Sequence, residues 1–252
     1  MAGAEGADGT AALLEVDGLC KRYGAVVVAD AVSFSLDQAT CLGIVGPNGA
    51  GKSSVFNLIA GTIAPNAGSI RFAGREVSRF PVFRRARLGI VRAFQIPQAF
   101  AHLTVFENLL VAAQYGAGLL GAAAEEWVLE IIDTFGLSDK EESEAGRLPL
   151  LDRKRLELAK AVASKARLLL LDEIAGGLTE REVEELTRLI IGLKRDHAII
   201  WIEHIPHALR AAADRVMLLH FGRKLLDGPP AEVMASAAMK EIYMGLAADD
   251  AA

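Results

Sequence analysis

Residues 46–54 read GPNGAGKSS, and this stretch decides the architecture. The order G-x-x-x-x-G-K-[ST] works only with a strand before it and a helix after it. Both are present. Thr40–Val45 is a short apolar run that ends at Gly46, and a helical pattern runs from about Lys52 to Ala60 and stops at Gly61. Gly46, Gly49 and Gly51 let the backbone curl round a phosphate chain without Cβ clashes. The loop amides and the helix N-terminus then face an anion. The expected cradle is Gly46, Pro47, Asn48, Gly49, Ala50, Gly51, Lys52, Ser53 and Ser54. Lys52 would reach the β- and γ-phosphates of ATP, Ser53 would offer its hydroxyl to Mg²⁺, and Ser54 would donate to a phosphate.

The second half of such a site stands far along the chain, at LLLLDE, residues 168–173. Four consecutive leucines suit a parallel strand covered on both faces. Asp172 emerges at the strand's end, where a carboxylate holds Mg²⁺ through water. Glu173 is placed to act on the attacking water as general base. Alone, this pair reads equally as an acidic cap on the next segment. Beside a full phosphate loop it completes a hydrolytic site.

Around these motifs the pattern alternates between strand and helix. Strands are expected at 13–20, around Val32, Phe34 and Leu36, and at 69–73 and 88–93. Thr104 and Glu107 form a capping-box pair before a helix to about Tyr115. A GAGLLGAAA break follows, and Trp127, Val128, Ile131, Ile132 and Phe135 repeat at helical spacing up to Gly136. Trp127 is read as core. A helix is expected from Asp152 to Ser164, and another, capped by Thr179 and Glu182, to about Arg195. Ala198–Ile202 is a further buried strand, and Val216–Leu219 with Lys224–Leu226 form a hairpin around Phe221-Gly222.

The bulk properties exclude several classes. The chain has 252 residues, with a net charge of −5, which disfavours nucleic acid as a partner. No apolar run reaches the ~18 residues of a membrane span. The opening MAGAEGADGTAA has no basic stretch before an apolar one, and no secretory signal is expected there. A cytoplasmic protein is expected, meeting a membrane only through partners. Cys20 and Cys41 lack metal-type spacing and are expected to be small buried hydrophobes in a reducing compartment. Residues 1–12 and the Ala/Asp-rich end after Leu246 look like flexible tails.

With both motifs in hand, the chain resembles the ATPases of ABC transporters over nearly its whole length. Within that superfamily it is most similar to the ATPases of branched-chain amino acid uptake systems. The narrower likeness rests on RAFQ at 92–95, LTVFENLLVAAQ at 103–114, WIEHI at 201–205 and EIYMG at 241–245. Lipopolysaccharide-export ATPases share much of it. The resemblance implies an α/β fold: a P-loop NTPase core with an antiparallel β subdomain, at 13–95 and 166–235, and a helical insertion subdomain at 96–165. A C-terminal helix and tail would occupy 236–252. It implies that Tyr23 stacks on adenine and that Gln95 senses Mg²⁺ and the attacking water. It also implies that His204 is the switch histidine that contacts the γ-phosphate and holds the base in place. Ordinary structural roles for Tyr23 and Gln95 remain open. The implied partners are integral membrane permease subunits, a second and different ATP-binding subunit and, indirectly, a periplasmic or extracellular solute-binding protein. The implied location is the inner face of the cell membrane.

One segment departs from the family. Where L-S-G-G-Q is usual, Leu148–Asp152 reads LPLLD. The usual serine and glycines sit at a helix N-terminus and grip the γ-phosphate on the opposite subunit. Pro149 removes a hydroxyl and an N–H, Leu150 and Leu151 add bulk, and Asp152 adds a negative charge or caps its own helix. Ile174 stands where proline is usual, and Thr179 where Asp or Asn is usual. Either the remaining backbone amides suffice, or this subunit contributes a weakened half-site to a dimer. Two other readings stay in view. One is a soluble ABC-type ATPase acting on DNA or ribosomes, which would carry a second cassette, coiled coils or zinc-hook cysteines. The other is a regulatory nucleotide-binding module with little hydrolysis.

Overall fold

The computed structural model describes residues 12–249. Residues 1–11 of the expected N-terminal tail lie outside the described residues. In chain order, β1 (Leu14–Tyr23) and β2 (Val26–Leu36) pair antiparallel. β3 (Cys41–Val45) leads into α1 (Lys52–Ala60). β4 (Ala67–Phe72), β5 (Arg75–Glu76), α2 (Val82–Leu88) and β6 (Ile90–Ala93) follow. A helical stretch then contains α3 (Val105–Val111), a π-helical turn at Ala112–Gly116, α4 (Ala122–Thr134) and α5 (Leu150–Ala163). β7 (Leu168–Asp172), α6 (Glu180–Leu193), β8 (Ala198–Ile202), α7 (Pro206–Ala212), β9 (Arg215–His220) and β10 (Arg223–Gly228) complete the sheets. α8 (Pro230–Ala235) and α9 (Ala237–Asp249) end the described chain.

The strands form two sheets. One is antiparallel, in the order β2-β1-β4-β5. The other has the order β10-β9-β3-β8-β7-β6 and is parallel apart from the β9–β10 hairpin. Strand alternation explains why LLLLD is apolar throughout. Leu168 and Leu170 belong to the core shared with α1 and the antiparallel sheet, while Leu169 and Leu171 belong to the core on the helical side. β8 divides the same way: Ile200 and Ile202 face one core, Ile199 and Trp201 the other.

Several local expectations change. The strand expected at 88–93 forms as β6 and begins at Ile90, while the helix α2 before it, Val82–Leu88, was not read from the sequence. A buried side chain anchors α2: Arg85, fully enclosed, donates to the carbonyls of Leu58, Ile59, Ser78 and Phe80. It caps the C-terminal end of α1, where helix carbonyls lack internal partners. Burial pushes its guanidinium down to about 10. Cys41 is buried, which together with the nearby Asp214 charge drives its thiol up to about 12. Cys20 corrects the expectation, being half-buried and accepting a hydrogen bond from the Ala31 N–H at 3.3 Å. Trp127 packs against the core while its indole N–H donates to Ala163 O at 3.0 Å. The Ala/Asp-rich end is helical as far as Asp249.

Candidate functional site

The phosphate loop leaves β3 and enters α1 at Lys52. Gly49 and Gly51 both hold left-handed backbone, at φ +78° and +99°. A Cβ at Gly51 would meet the Val28 carbonyl oxygen at 2.4 Å, so β2 backbone presses on the loop where only glycine fits. A Cβ at Gly49 would meet nothing within 4 Å, because that side opens into a cavity. The cavity holds about 220 Å³ and is lined by Val28, residues 48–54 and Glu173. Lys52 is buried and curls back, donating to Gly46 O at 2.6 Å and Pro47 O at 3.0 Å. Burial lowers its ammonium's affinity for a proton, and the charges of Glu173 and Asp172 oppose that. An incoming phosphate offers Lys52 better acceptors than two carbonyls.

β7 delivers the two carboxylates. The Asp172 carboxylate oxygen Oδ2 is paired with Arg92 on neighbouring β6. Arg92 also donates to Asn57 Oδ1 of α1 at 2.8 Å, and its buried Nε has no partner. This bridge between β6, β7 and α1 was not legible in the spacing, since Arg92 and Asp172 are 80 residues apart. Glu173 takes a left-handed backbone, φ +46°, rare for a residue with a Cβ. Its N–H is anchored on Ile202 O at 2.9 Å. Its Oε1 lies 2.8 Å from His204 Nε2. The sequence places these two residues 31 apart, and parallel pairing of β7 with β8 brings them together.

Gln95 sits on a segment, 94–100, without regular secondary structure. Its backbone is held by α5. Glu157 accepts from the Phe94 N–H at 3.4 Å and the Gln98 N–H at 2.9 Å. Lys154 donates to Gln95 O, and Lys160 to Gln98 O at 2.6 Å. These residues repeat every three positions along one face of α5. Lys154 and Glu157 are almost fully buried. The Gln95 side-chain amide lies beside Gly176, just past Glu173. Phe94, Ile96 and Phe100 remain exposed on the same segment.

Tyr23 ends β1 and is 53% exposed, with Lys21 Nζ 5.0 Å from its ring centroid. It does not line the cavity at the phosphate loop, whereas Val28 of β2 does. Val28 was missed because nothing in the sequence marks which strand backbone crosses the loop. Pro149 occupies the N-cap of α5, and no side chain caps that helix. Asp152 does not cap it either. Its carboxylate is buried between Lys140 at 3.2 Å and Arg155 at 3.2 Å, so its charge is matched within the subunit. Leu150 approaches Gly177.

The set combines a phosphate cradle, a carboxylate held against a histidine, and a second carboxylate at the loop's edge. It can bind a polyphosphate and direct a water at its terminal phosphorus. The ABC transporter family model matches residues 29–176. The chain is 32% identical, over 92% of its length and 98% of the other's, to a high-affinity branched-chain amino acid transport ATP-binding protein, BraF, of Pseudomonas aeruginosa. It is equally similar, at 32% and with the same coverage, to LivG of Escherichia coli, which has the same description. It is 28% identical, over 92% of this chain and 97% of the other, to the lipopolysaccharide export system ATP-binding protein LptB of Haemophilus influenzae. Among solved structures, the ADP conformation of an ABC transporter's ATP-binding cassette superposes with a TM-score of 0.86. It is 24% identical and covers 94% of this chain and 100% of that one.

Proposed function

We propose that this chain, which belongs to the ABC transporter family as one of its ATP-hydrolysing subunits, powers uptake of branched-chain amino acids or related small solutes. The observation that carries the hydrolytic half is the Glu173–His204 contact beside a complete phosphate loop. Similarity to BraF and LivG along nearly the full chain supports the cargo class. The lipopolysaccharide-export reading rests on the lower identity to LptB.

In this reading the backbone N–H groups of residues 48–54 cradle the β- and γ-phosphates of ATP, and Lys52 exchanges its carbonyl partners for phosphate oxygens. Ser53 and Asp172 offer hard oxygen donors, a set that fits Mg²⁺ with phosphate and water completing its sphere. Arg92 pairs with Oδ2 of Asp172, and Oδ1 would remain as a donor for the ion. Bound Mg²⁺ would neutralise charge on the phosphates. Glu173 takes the proton of the attacking water, and His204 fixes the carboxylate's orientation and meets the γ-phosphate. Gln95 approaches from the helical side, and Tyr23 serves the adenine.

The core would comprise 13–95 with 166–235, and 96–165 the helical insertion. No described helix is long and apolar enough to cross a membrane, which fits attachment to the inner face of the membrane through permease subunits. A second, different ATP-binding subunit would supply the intact signature that LPLLD lacks, and a solute-binding protein would act from outside. Two measurements test this. Lys52→Ala should weaken nucleotide binding, and unchanged affinity would reject the site. Purification from native solubilised membranes should yield two integral permease subunits and another ATPase. Recovery with a lipid-export assembly would reject the cargo.

A further inference from the structure

Gly46 opens the phosphate loop, and its N–H donates to the hydroxyl of Tyr243 at 3.1 Å, 197 residues away. No other acceptor meets that N–H among the described residues. Gly46 is buried, so this bond keeps a backbone donor from being stranded without a partner. A Cβ on Gly46 would meet the Leu219 carbonyl oxygen at 2.3 Å, so β9 backbone already presses on the residue. Its own carbonyl accepts from Lys52 Nζ at 2.6 Å. Gly46 thus joins β9, the loop's lysine and α9. Tyr243 reaches it because α9 is fixed along its length. Ser236 Oγ accepts the Met239 N–H at 3.1 Å where the helix begins, and Ala238, Met239 and Ile242 pack against the core. Met239 and Tyr243 stand one turn apart and line one cavity with Val45, the residue before Gly46. Burial raises the phenol above its ordinary range while the Gly46 N–H opposes the rise, so the hydroxyl is neutral at physiological pH.

We propose that Tyr243 is a positioning residue for the phosphate loop: its hydroxyl fixes Gly46 so that the N–H groups of residues 48–54 stand ready for the β- and γ-phosphates. Tyr243 touches no phosphate itself and acts through Gly46. The inference rests on the phosphate-site reading given above. In this structure Gly46 is held twice, at its N–H by Tyr243 and at its carbonyl by Lys52. When Lys52 turns to a phosphate, the carbonyl loses that hold, and the Tyr243 hydroxyl is the side-chain anchor that remains. The Tyr243 bond therefore counts for more with nucleotide bound than without it. Its loss falls on ATP affinity, and by linkage ATP tightens the docking of α9 by the same factor. A tyrosine kept only for packing would show neither effect, since phenylalanine fills the same space.

The test is Tyr243→Phe in the full chain, with Lys52→Ala as the reference, read by calorimetric titration with ATP and Mg²⁺ and by hydrogen exchange. A buried N–H left without an acceptor is worth a factor of about five or more, so Tyr243→Phe should raise the Kd for ATP about fivefold or more. Exchange at the Gly46 amide should quicken in this variant, while the amides of residues 239–242 keep their parental protection. ATP should slow exchange along α9 in the parent and leave it unchanged in the variant. Three outcomes would overturn the inference while Lys52→Ala still weakens binding and upholds the site. They are equal ATP affinity of parent and Tyr243→Phe, loss of α9 protection on that substitution, and no protection of α9 by ATP in the parent. ATP affinity untouched by Lys52→Ala would reject the phosphate site, and the inference with it.

Discussion

The substitution Glu203→Gln bears on stability, and its sign follows from burial. Burial raises the Glu203 carboxyl from 4.5 to about 7, and the nearby Glu173 charge adds to the rise. The folded chain therefore holds a proton there that the unfolded chain has already lost. Below pH 4.5 the group is neutral in both states and costs nothing. As pH climbs from 4.5 to about 7, the folded state must either keep the proton or bury a charge, and stability falls. At about 1.4 kcal/mol per pH unit, the full gap corresponds to about 3 kcal/mol. Hydrogen bonds from the Ala175 and His204 backbone and from the Trp201 side chain oppose the rise, and relaxation round the charge makes this an upper bound. Glutamine keeps the shape and never ionises. Urea unfolding of parent and variant across this pH range should give equal stabilities at the acid end. The variant should be more stable by up to about 3 kcal/mol at the alkaline end. A difference that stays flat with pH, or one that favours the parent as pH rises, would refute the reasoning.

Glu173→Gln should bind ATP yet lose about 10²–10⁴ in hydrolysis rate, and parental turnover in the assembled complex would remove Glu173 as the base. Arg85→Met leaves the carbonyls of Leu58, Ile59, Ser78 and Phe80 without their donor. It should cost about 3 kcal/mol or more in denaturant unfolding, and an unchanged midpoint would show that water replaces the guanidinium. Glu157→Gln offers one acceptor where the Phe94 and Gln98 amides need two. Hydrogen exchange at those amides should quicken and kcat should fall more than ATP affinity, whereas a purely structural role would leave the exchange local to α5. In a transporter with an unequal ATPase pair, Lys52→Ala should abolish transport while the matching lysine change in the partner leaves a measurable fraction. One lost phosphate donor is worth about 3 kcal/mol, so equal loss from the two changes would argue against asymmetry.

The sequence alone determined the parts of this protein whose physics is local. The phosphate loop needs its glycines at set offsets, a strand before and a helix after, all within about one turn of chain. LLLLDE declares a two-faced strand because period-two alternation lets both faces be apolar. The capping boxes at Thr104–Glu107 and Thr179–Glu182 form as the spacing requires. Tertiary structure alone decided which distant groups meet. Glu173 and His204 touch because β7 and β8 pair in one register. Arg92 reaches Asp172 across the β6–β7 pairing. Val28 reaches the loop because β2 crosses it, and α2, unread in the sequence, is anchored where Arg85 finds four carbonyls. Asp152 turned from a charge against phosphate into a matched internal ion once Lys140 came beside it. Each of these depends on desolvation and on register between segments far apart in the chain, and neither is a property of any one segment.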